Sequence, residues 1–286
     1  MFFHKRKPAP PLGDYVEYLW YLADTPAHAQ ERIVPTGTFE LVINLAEDGF
    51  SIGEQPSGPA GATRRPRGAV VSGPFRRFLL VDTRDHASIV GVHFRPGRVL
   101  PFLGCRADEI GAGHVELEDL WGAADARRLR ERLCAAATTD QRLRVLEDAL
   151  TARLACRTAE LLSLRRDIHY AVQALQCGTA PISQIAADLG LSHRRFIEVF
   201  TAQVGTTPKF YGRLQRFHRA LRVATDAAGA GAGRGPNWGA LALECGYFDQ
   251  SHLVRDFREF AGLTPERLVR HARAAPVKDG HVAVAP

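Results

Sequence analysis

Near the C-terminus of the 286-residue chain, four side chains that form good hydrogen bonds lie within six consecutive residues. In the segment GYFDQSHLVRDFREFAGLTP (246–265) they are Gln250, Ser251, His252 and Arg255. The arginine fork and the glutamine amide present paired hydrogen-bonding groups, which match the paired groups on the edges of nucleotide bases. Leu253, Phe257 and Phe260 lie between and after them at steps of three to four residues. The spacing predicts a helix that is buried along one face and offers hydrogen bonds along the other.

The same pattern occurs twice in the C-terminal half. The segment IAADLGLSHRRFIEVFTAQVGTTP (185–208) aligns with LALECGYFDQSHLVRDFREFAGLTP (241–265) when one residue is inserted in the turn of the second copy. In each copy a glycine, Gly190 or Gly246, ends a first helix where a left-handed residue is needed. The other matched pairs are Ile185 with Leu241, Ala186 with Ala242, Phe196 with Leu253, Phe200 with Phe257, Gly205 with Gly262, and Pro208 with Pro265. Two copies of one pattern indicate a duplicated structural unit.

Each copy has the order helix, turn, capped helix. Ser192 in the first copy and Asp249 in the second stand at N-cap positions, since their side chains accept hydrogen bonds from amides of the first turn. Pro208 or Pro265 closes the copy and suits the first turn of another helix. A helix, a glycine turn and a capped helix make a helix-turn-helix, whose second helix enters the major groove of DNA. We therefore predict two recognition helices, one after Ser192 and one after Asp249.

The two motifs and the helix between them resemble the DNA-binding domain of AraC-type (AraC/XylS) transcription regulators. The resemblance covers residues 165–272, including the joining helix PKFYGRLQRFHRALRVA and the Gly/Ala-rich segment AAGAGAGRGPN before the second motif. In the N-terminal half, VPTGTFELVINL and GVHFRPGRVLPFLG resemble barrel-like sensor domains that precede this module in some relatives. The resemblance implies a sequence-specific, DNA-binding transcriptional regulator, an activator in the cytoplasm.

The resemblance also implies roles for individual residues. Base contacts are expected from Arg194, Ile197 and Glu198 on the first recognition helix, and on the second from Gln250, Ser251, His252, Val254 and Arg255. Contacts to the DNA backbone are expected from His193, Arg195, Lys209, Arg213, Arg216 and Arg258. The cations of the joining helix are explained equally well as its solvated face.

Glu198 departs from the family's pattern, which often has a basic or amide residue at that place. A carboxylate accepts a hydrogen bond from cytosine N4 but is repelled by phosphates. The first motif is therefore expected to read sequence less strongly than the second.

The N-terminal part has a different periodicity. Short runs rich in Val, Ile, Leu and aromatic residues, separated by Gly, Pro and Asp, predict strands; they are YVEYLWYLA, FELVINLAE, GAVVSGP, RFLLVD and ASIVGVHF. Such strands predict an antiparallel β barrel or sandwich (cupin-like), so the fold class is α+β with an all-α C-terminal domain. The predicted divisions are a β-rich sensor or dimerisation domain (1–115), a helical connector (116–164), the DNA-binding domain (165–272) and a disordered tail (273–286).

Composition limits the class of protein without defining its function. A net charge of +6 and a pI of about 9.3 permit an anionic partner such as DNA. The five cysteines are odd in number and scattered, which indicates reduced thiols and no disulfide framework or zinc finger. The sequence has no signal peptide and no run of about 18 apolar residues, so a membrane is not an expected partner. We expect no cofactor.

Two alternatives share parts of this pattern. An architectural DNA-binding protein has the same module, but a large N-terminal domain argues for sensing or dimerisation, because the module does not need it to fold. The N-terminal barrel also suggests a metal- or thiol-dependent enzyme built on Cys105 or on His4, His28, His86, His93 and His114. No H-x-H or H-E-x-x-H spacing supports the metal reading. The expected partner is double-stranded DNA, and RNA polymerase, a small-molecule effector and a second copy of the chain are further candidates.

Overall fold

Short antiparallel strands build the N-terminal half. In the computed structural model the described residues are 2–23, 30–50, 52–53, 66–82, 87–156, 166–230, 236–274 and 281–283. The strands are β1 (Phe2–Arg6), β2 (Val16–Ala23), β3 (Gln30–Ile33), β4 (Glu40–Asn44), β5 (Ile52–Gly53), β6 (Ala69–Ser72), β7 (Leu79–Asp82), β8 (Ser88–Phe94), β9 (His114–Glu116) and β10 (His281–Ala283). A 3-10 turn, Leu12–Asp14, precedes β2.

The strands form two sheets, which confirms the predicted antiparallel β domain as a sandwich-like arrangement rather than a closed barrel. Six strands follow the order β1-β2-β8-β4-β6-β9 and four follow the order β10-β3-β7-β5. Side chains alternate between the faces of the larger sheet, as strand geometry requires. On β4, Leu41 and Ile43 join the main core, whereas Val42 packs on the opposite face against a smaller cluster around Trp20.

Helices cover the first of these faces. The helices before the DNA-binding domain are α1 (Leu100–Leu103), α2 (Ala107–Ile110), α3 (Leu117–Trp121), α4 (Ala123–Ala135) and α5 (Thr139–Ala155). Leu129 and Leu133 on α4, with Leu143, Leu146 and Leu150 on α5, are buried in one cluster with the strands. The segment predicted as a helical connector therefore packs its leucines on the sheet.

The C-terminal half is helical and contains two helix-turn-helix units. Its helices are α6 (Arg166–Cys177), α7 (Ile182–Asp188), α8 (His193–Val204), α9 (Pro208–Ala230), α10 (Trp238–Glu244), α11 (Gln250–Ala261) and α12 (Pro265–Ala274). The first unit is α7–α8, the second is α10–α11, and the long helix α9 joins them. The Gly/Ala-rich segment between α9 and α10 lies largely outside the described residues.

Each unit has its own apolar core around the repeated aromatic and aliphatic positions. Phe196 and Phe200 are fully buried in the first core, and Leu253 and Phe257 are fully buried in the second. Helix α9 contributes Tyr211 to the first core and Leu214 and Phe217, among others, to the second. The joining helix therefore belongs to both units.

One strand lies in the range for which the sequence predicts a disordered tail. Strand β10 pairs with β3, with Val282 opposite Arg32. These three residues depart from that prediction because their hydrogen-bond partners come from the other end of the chain. In the part of the chain that the structure describes, no helix combines the length and the apolar character needed to cross a membrane.

Candidate nucleic-acid interface

The turn of the first unit has the geometry that its sequence predicts. Gly190 adopts a left-handed conformation with φ of 66°, and the following amide of Leu191 donates to the carbonyl of Ala186 at 2.9 Å. The Ser192 hydroxyl then accepts from the amide of Arg195 at 3.2 Å, so Ser192 is the N-cap of α8. The turn and the cap together fix where the recognition helix starts.

The second unit repeats this geometry with one extra residue in the turn. Gly246 has φ of 80°, and the amide of Tyr247 donates to the carbonyl of Ala242 at 2.8 Å. Asp249 caps α11, since its Oδ1 accepts from the amide of His252 at 2.7 Å. The predicted caps are therefore confirmed in both copies.

We expect Asp249→Ala to lower the free energy of unfolding by about 1 kcal/mol, because one first-turn amide of α11 loses its acceptor. Chemical denaturation measures this loss. Asp249→Asn is the matched control, since an asparagine oxygen also caps well. A loss as large in the asparagine variant would contradict capping as the cause.

The polar face of α11 lines a groove of about 500 Å³. Its lining residues are Gln250, Ser251, Val254, Arg255 and Arg258. Four of these are predicted base contacts, whereas Arg258 is predicted to contact the DNA backbone, and the structure places all five on one surface. His252 lies apart from them, because its ring packs edge-on against Tyr247 at a centroid distance of 5.4 Å.

The polar face of α8 is exposed, but its charged side chains form ion pairs with one another. Glu198 accepts from Arg194 Nε at 3.0 Å and from Arg195 Nη1 at 3.4 Å. The hydrogen bond from Arg194, with a further contribution from Arg195, lowers the pKa of the Glu198 carboxyl. The carboxylate thus offsets part of the positive charge on the first recognition helix, whereas α11 carries Arg255 and Arg258 in its groove. Ile197, the third predicted base contact on α8, is half-buried.

Arg213 of α9, a predicted contact to the DNA backbone, has carboxylate partners within the protein. Its Nε donates to Asp256 Oδ1 at 2.7 Å and its Nη1 to Glu259 Oε1 at 3.0 Å. Asp256 is fully buried, so the guanidinium is the partner that makes this carboxylate tolerable inside the protein. These hydrogen bonds raise the pKa of Arg213. Arg213 therefore holds α11 to the joining helix, and its contact with the DNA backbone stays a prediction.

Two more arginines of α9 bind neighbouring elements. Arg216 Nη1 donates to the carbonyl of Gly246 in the turn of the second unit at 2.9 Å, and its guanidinium lies over the Tyr247 ring at 4.8 Å. Arg219 Nη2 donates to the carbonyl of Gln176 on α6 at 2.9 Å. Arg216 thus also has partners within the protein, while Lys209, the third predicted backbone contact on α9, is exposed.

Sequence reasoning missed Asp256 and Tyr247 as partners of these arginines. The available signal was an aspartate adjacent to Phe257 on a helix whose other buried positions are apolar. A carboxylate at such a position requires a cation nearby.

The N-terminal histidines do not assemble a metal site in the described residues. No group of three or more potential metal ligands occurs there. His93 Nδ1 is instead bound to Glu40 Oε1 at 2.8 Å, and His114 Nδ1 to Ser72 Oγ at 2.8 Å. His28 and His86 lie outside the described residues.

Two separate family models match the two halves of the chain. Residues 185–271 match the family model "Helix-turn-helix domain", and residues 4–116 match "Domain of unknown function (DUF6597)". A search of curated proteins found no match. The two domain matches thus correspond to the helical and the β-rich halves.

Several solved structures of regulators are similar to this chain. An AraC-type regulator from Chromobacterium violaceum is 22% identical over 41% of this chain and 99% of its own, with a TM-score of 0.34. ToxT from Vibrio cholerae is 10% identical over 94% of this chain and 98% of its own, with a TM-score of 0.43. ToxT bound to an unsaturated fatty acid is 11% identical over 88% and 93%, with a TM-score of 0.41.

The TM-scores and sequence identities to these structures are low. The type of the helical domain is therefore inferred from the family match over residues 185–271 and from the doubled motif. The family to which this domain belongs consists of transcriptional regulators. Both motifs have the glycine turn, the capped second helix and the exposed polar face that groove binding requires. Residues 185–271 are an AraC-type helix-turn-helix domain, and the chain that carries it is a DNA-binding transcriptional regulator.

Proposed function

We propose that this regulator reads a bipartite DNA site with its two recognition helices from one face of the duplex. The observation that carries the proposal is the pair of capped helices α8 and α11, each with an exposed polar face. Both are fixed to α9, α8 through the contact of Phe200 with Tyr211 and α11 through Arg213. Successive major grooves on one face of B-DNA lie about 34 Å apart, so one chain can occupy two of them.

In this proposal α11 supplies most of the base discrimination. Gln250 and Arg255 form the bidentate pairs with adenine and guanine, Val254 contacts a thymine methyl, and Ser251 hydrogen-bonds at the groove. Arg258 lies in the same groove one turn further along and holds the backbone. Helix α8 contributes less base discrimination, because Glu198 forms ion pairs with both arginines of the preceding turn, Arg194 and Arg195.

We further propose that the N-terminal domain responds to a small-molecule effector. A row of polar side chains crosses the second face of the larger sheet, where Tyr18 stacks on His93 and His93 binds Glu40. Tyr18 and His93 are only 7% and 8% exposed. Buried polar groups that lie together on one face of a sheet are suited to fixing a ligand's orientation. An effector acts only if it binds the DNA-competent arrangement with a different affinity.

Two protein partners complete the proposal. RNA polymerase is the partner expected of a regulator of this type at a promoter, and the N-terminal domain is the site for pairing with a second copy of the chain. Light scattering of the purified protein, with and without DNA, measures whether a dimer forms.

Selection of genomic DNA fragments by the purified protein tests DNA reading directly. We expect enrichment of a motif with two conserved blocks whose centres are about 10 base pairs apart. A salt titration on the best site and on a scrambled duplex should show that the two slopes are similar while the affinities differ by about 10³-fold or more. Binding without sequence enrichment, governed by salt alone, would favour the architectural alternative.

A further inference from the structure

The two recognition helices end in equivalent glycines, and an aromatic ring of the N-terminal domain lies against each. Gly205 ends α8 and Gly262 ends α11, both in the left-handed conformation. A Cβ atom placed on Gly205 would lie 2.9 Å from Cε2 and Cζ of Phe39. A Cβ on Gly262 would lie closer still to the ring of Phe78. Neither position has room for a side chain, because real Cβ atoms do not approach other atoms so closely.

Polar contacts reinforce the second of these junctions. Arg32 of β3 donates from Nη1 to the carbonyl of Ala261, the last residue of α11, at 2.8 Å. The Arg32 guanidinium also lies over the Phe78 ring at 4.0 Å. A cation at a helix C-terminus satisfies an otherwise unpaired carbonyl and the negative end of the helix dipole.

The segment between Arg32 and Phe39 crosses the joining helix. Val34 is fully buried in the core of the second unit. The carbonyl of Pro35 accepts from His218 Nε2 of α9 at 2.7 Å. A Cβ on Gly37 would lie 3.1 Å from Leu214 Cδ2. One continuous stretch of the N-terminal domain therefore contacts α8, α9 and α11.

The other two left-handed glycines of the repeat show that this contact is not a requirement of the motif itself. A Cβ on Gly190 or on Gly246 would meet no atom within 4 Å. The φ angles are matched in pairs, since Gly190 and Gly262 are both at 66° and Gly205 and Gly246 are both at 80°. The four glycines thus share a conformation, and two of them also serve as contact points.

From this arrangement we propose that the N-terminal domain sets the separation and tilt of the two recognition helices by holding the C-terminal end of each. Phe39 and Phe78 are the positioning residues of this brace. The proposal rests on the two-motif reading of DNA described above, and it adds that the permitted distance between the two half-sites depends on residues outside the DNA-binding domain.

Alanine substitution of the four glycines in the full-length chain tests the brace. Gly205→Ala and Gly262→Ala strain the left-handed backbone and also displace the ring, whereas Gly246→Ala and Gly190→Ala strain only the backbone. Binding is measured on duplexes that carry both selected half-sites with the spacer kept, lengthened or shortened by one base pair, and on duplexes with one half-site. Phe78→Leu gives a second route to the same loss without backbone strain.

We expect the wild type and the two control variants to reject the altered spacers. In Gly205→Ala, Gly262→Ala and Phe78→Leu, the ratio of affinity for the kept spacer to affinity for an altered spacer should fall about tenfold. Affinity for a single half-site should change by less than about threefold. A uniform loss of affinity at every spacer, or spacer discrimination equal to that of the controls, would overturn the brace. If the wild-type protein gains nothing from the second half-site, the two-motif reading itself fails, and the single half-site data distinguish that result from failure of the brace.

Discussion

Arg213→Ala should lower the free energy of unfolding by about 3 kcal/mol, one of the largest losses expected from a single change on the joining helix. Removing one partner of a buried ion pair leaves the other charge uncompensated, and here that charge is Asp256, which has no exposed side-chain surface. The low end of the range for buried pairs is appropriate, because the Arg213 and Glu259 side chains are 25% and 31% exposed. Denaturant unfolding of the full chain measures the loss.

Lys209→Ala is the matched control for this change. Lys209 is a cation one turn earlier on the same helix, but it is exposed, so its loss should change stability by less than about 0.5 kcal/mol. A double change of Arg213→Met and Asp256→Leu should recover most of the stability, since apolar pairs often replace buried ion pairs without loss. If Arg213→Ala is as mild as Lys209→Ala and lowers the salt slope of DNA binding instead, Arg213 contacts phosphate as the sequence predicts.

Arg213 illustrates which parts of this molecule the sequence alone could predict. The caps Ser192 and Asp249 and the glycine turns were predictable because each depends on residues within four positions along the chain. The partners of Arg213 lie 43 and 46 residues away along the chain, on helix α11. No periodicity in α9 distinguishes an arginine that binds a buried carboxylate from one that faces solvent.

The N-terminal half shows the same limit. Alternating or continuous apolar runs predicted β2, β4, β6, β7 and β8, because these strands bury one or both faces. Strand β3, with the sequence QERI, gives no such signal, and its place in the sheet depends on its neighbours β7 and β10. The contacts of Phe39 and Phe78 with the glycines of the recognition helices are likewise long-range, so the repeat could reveal Gly205 and Gly262 but not what lies against them.

Arg255→Ala is expected to relax the base preference at one position of the site, with a loss of about 1–3 kcal/mol of discrimination there. Arg255 is exposed and shares the groove with Gln250, and its pairing with guanine requires two parallel hydrogen bonds. Competition binding against duplexes that carry each of the four bases at every position of the α11 half-site measures this preference. The other positions should keep theirs.

Two further variants separate base reading from backbone contact. Arg258→Ala, one turn further along α11, should weaken binding to all duplexes alike and reduce the salt slope by about one unit. Arg255→Lys keeps the charge but not the planar fork, so a base contact should lose its discrimination in the lysine variant almost as fully as in the alanine variant. A lysine variant that behaves as the wild type would place Arg255 on phosphate, and the base-reading role would then pass to Gln250 as the other bidentate side chain in the groove.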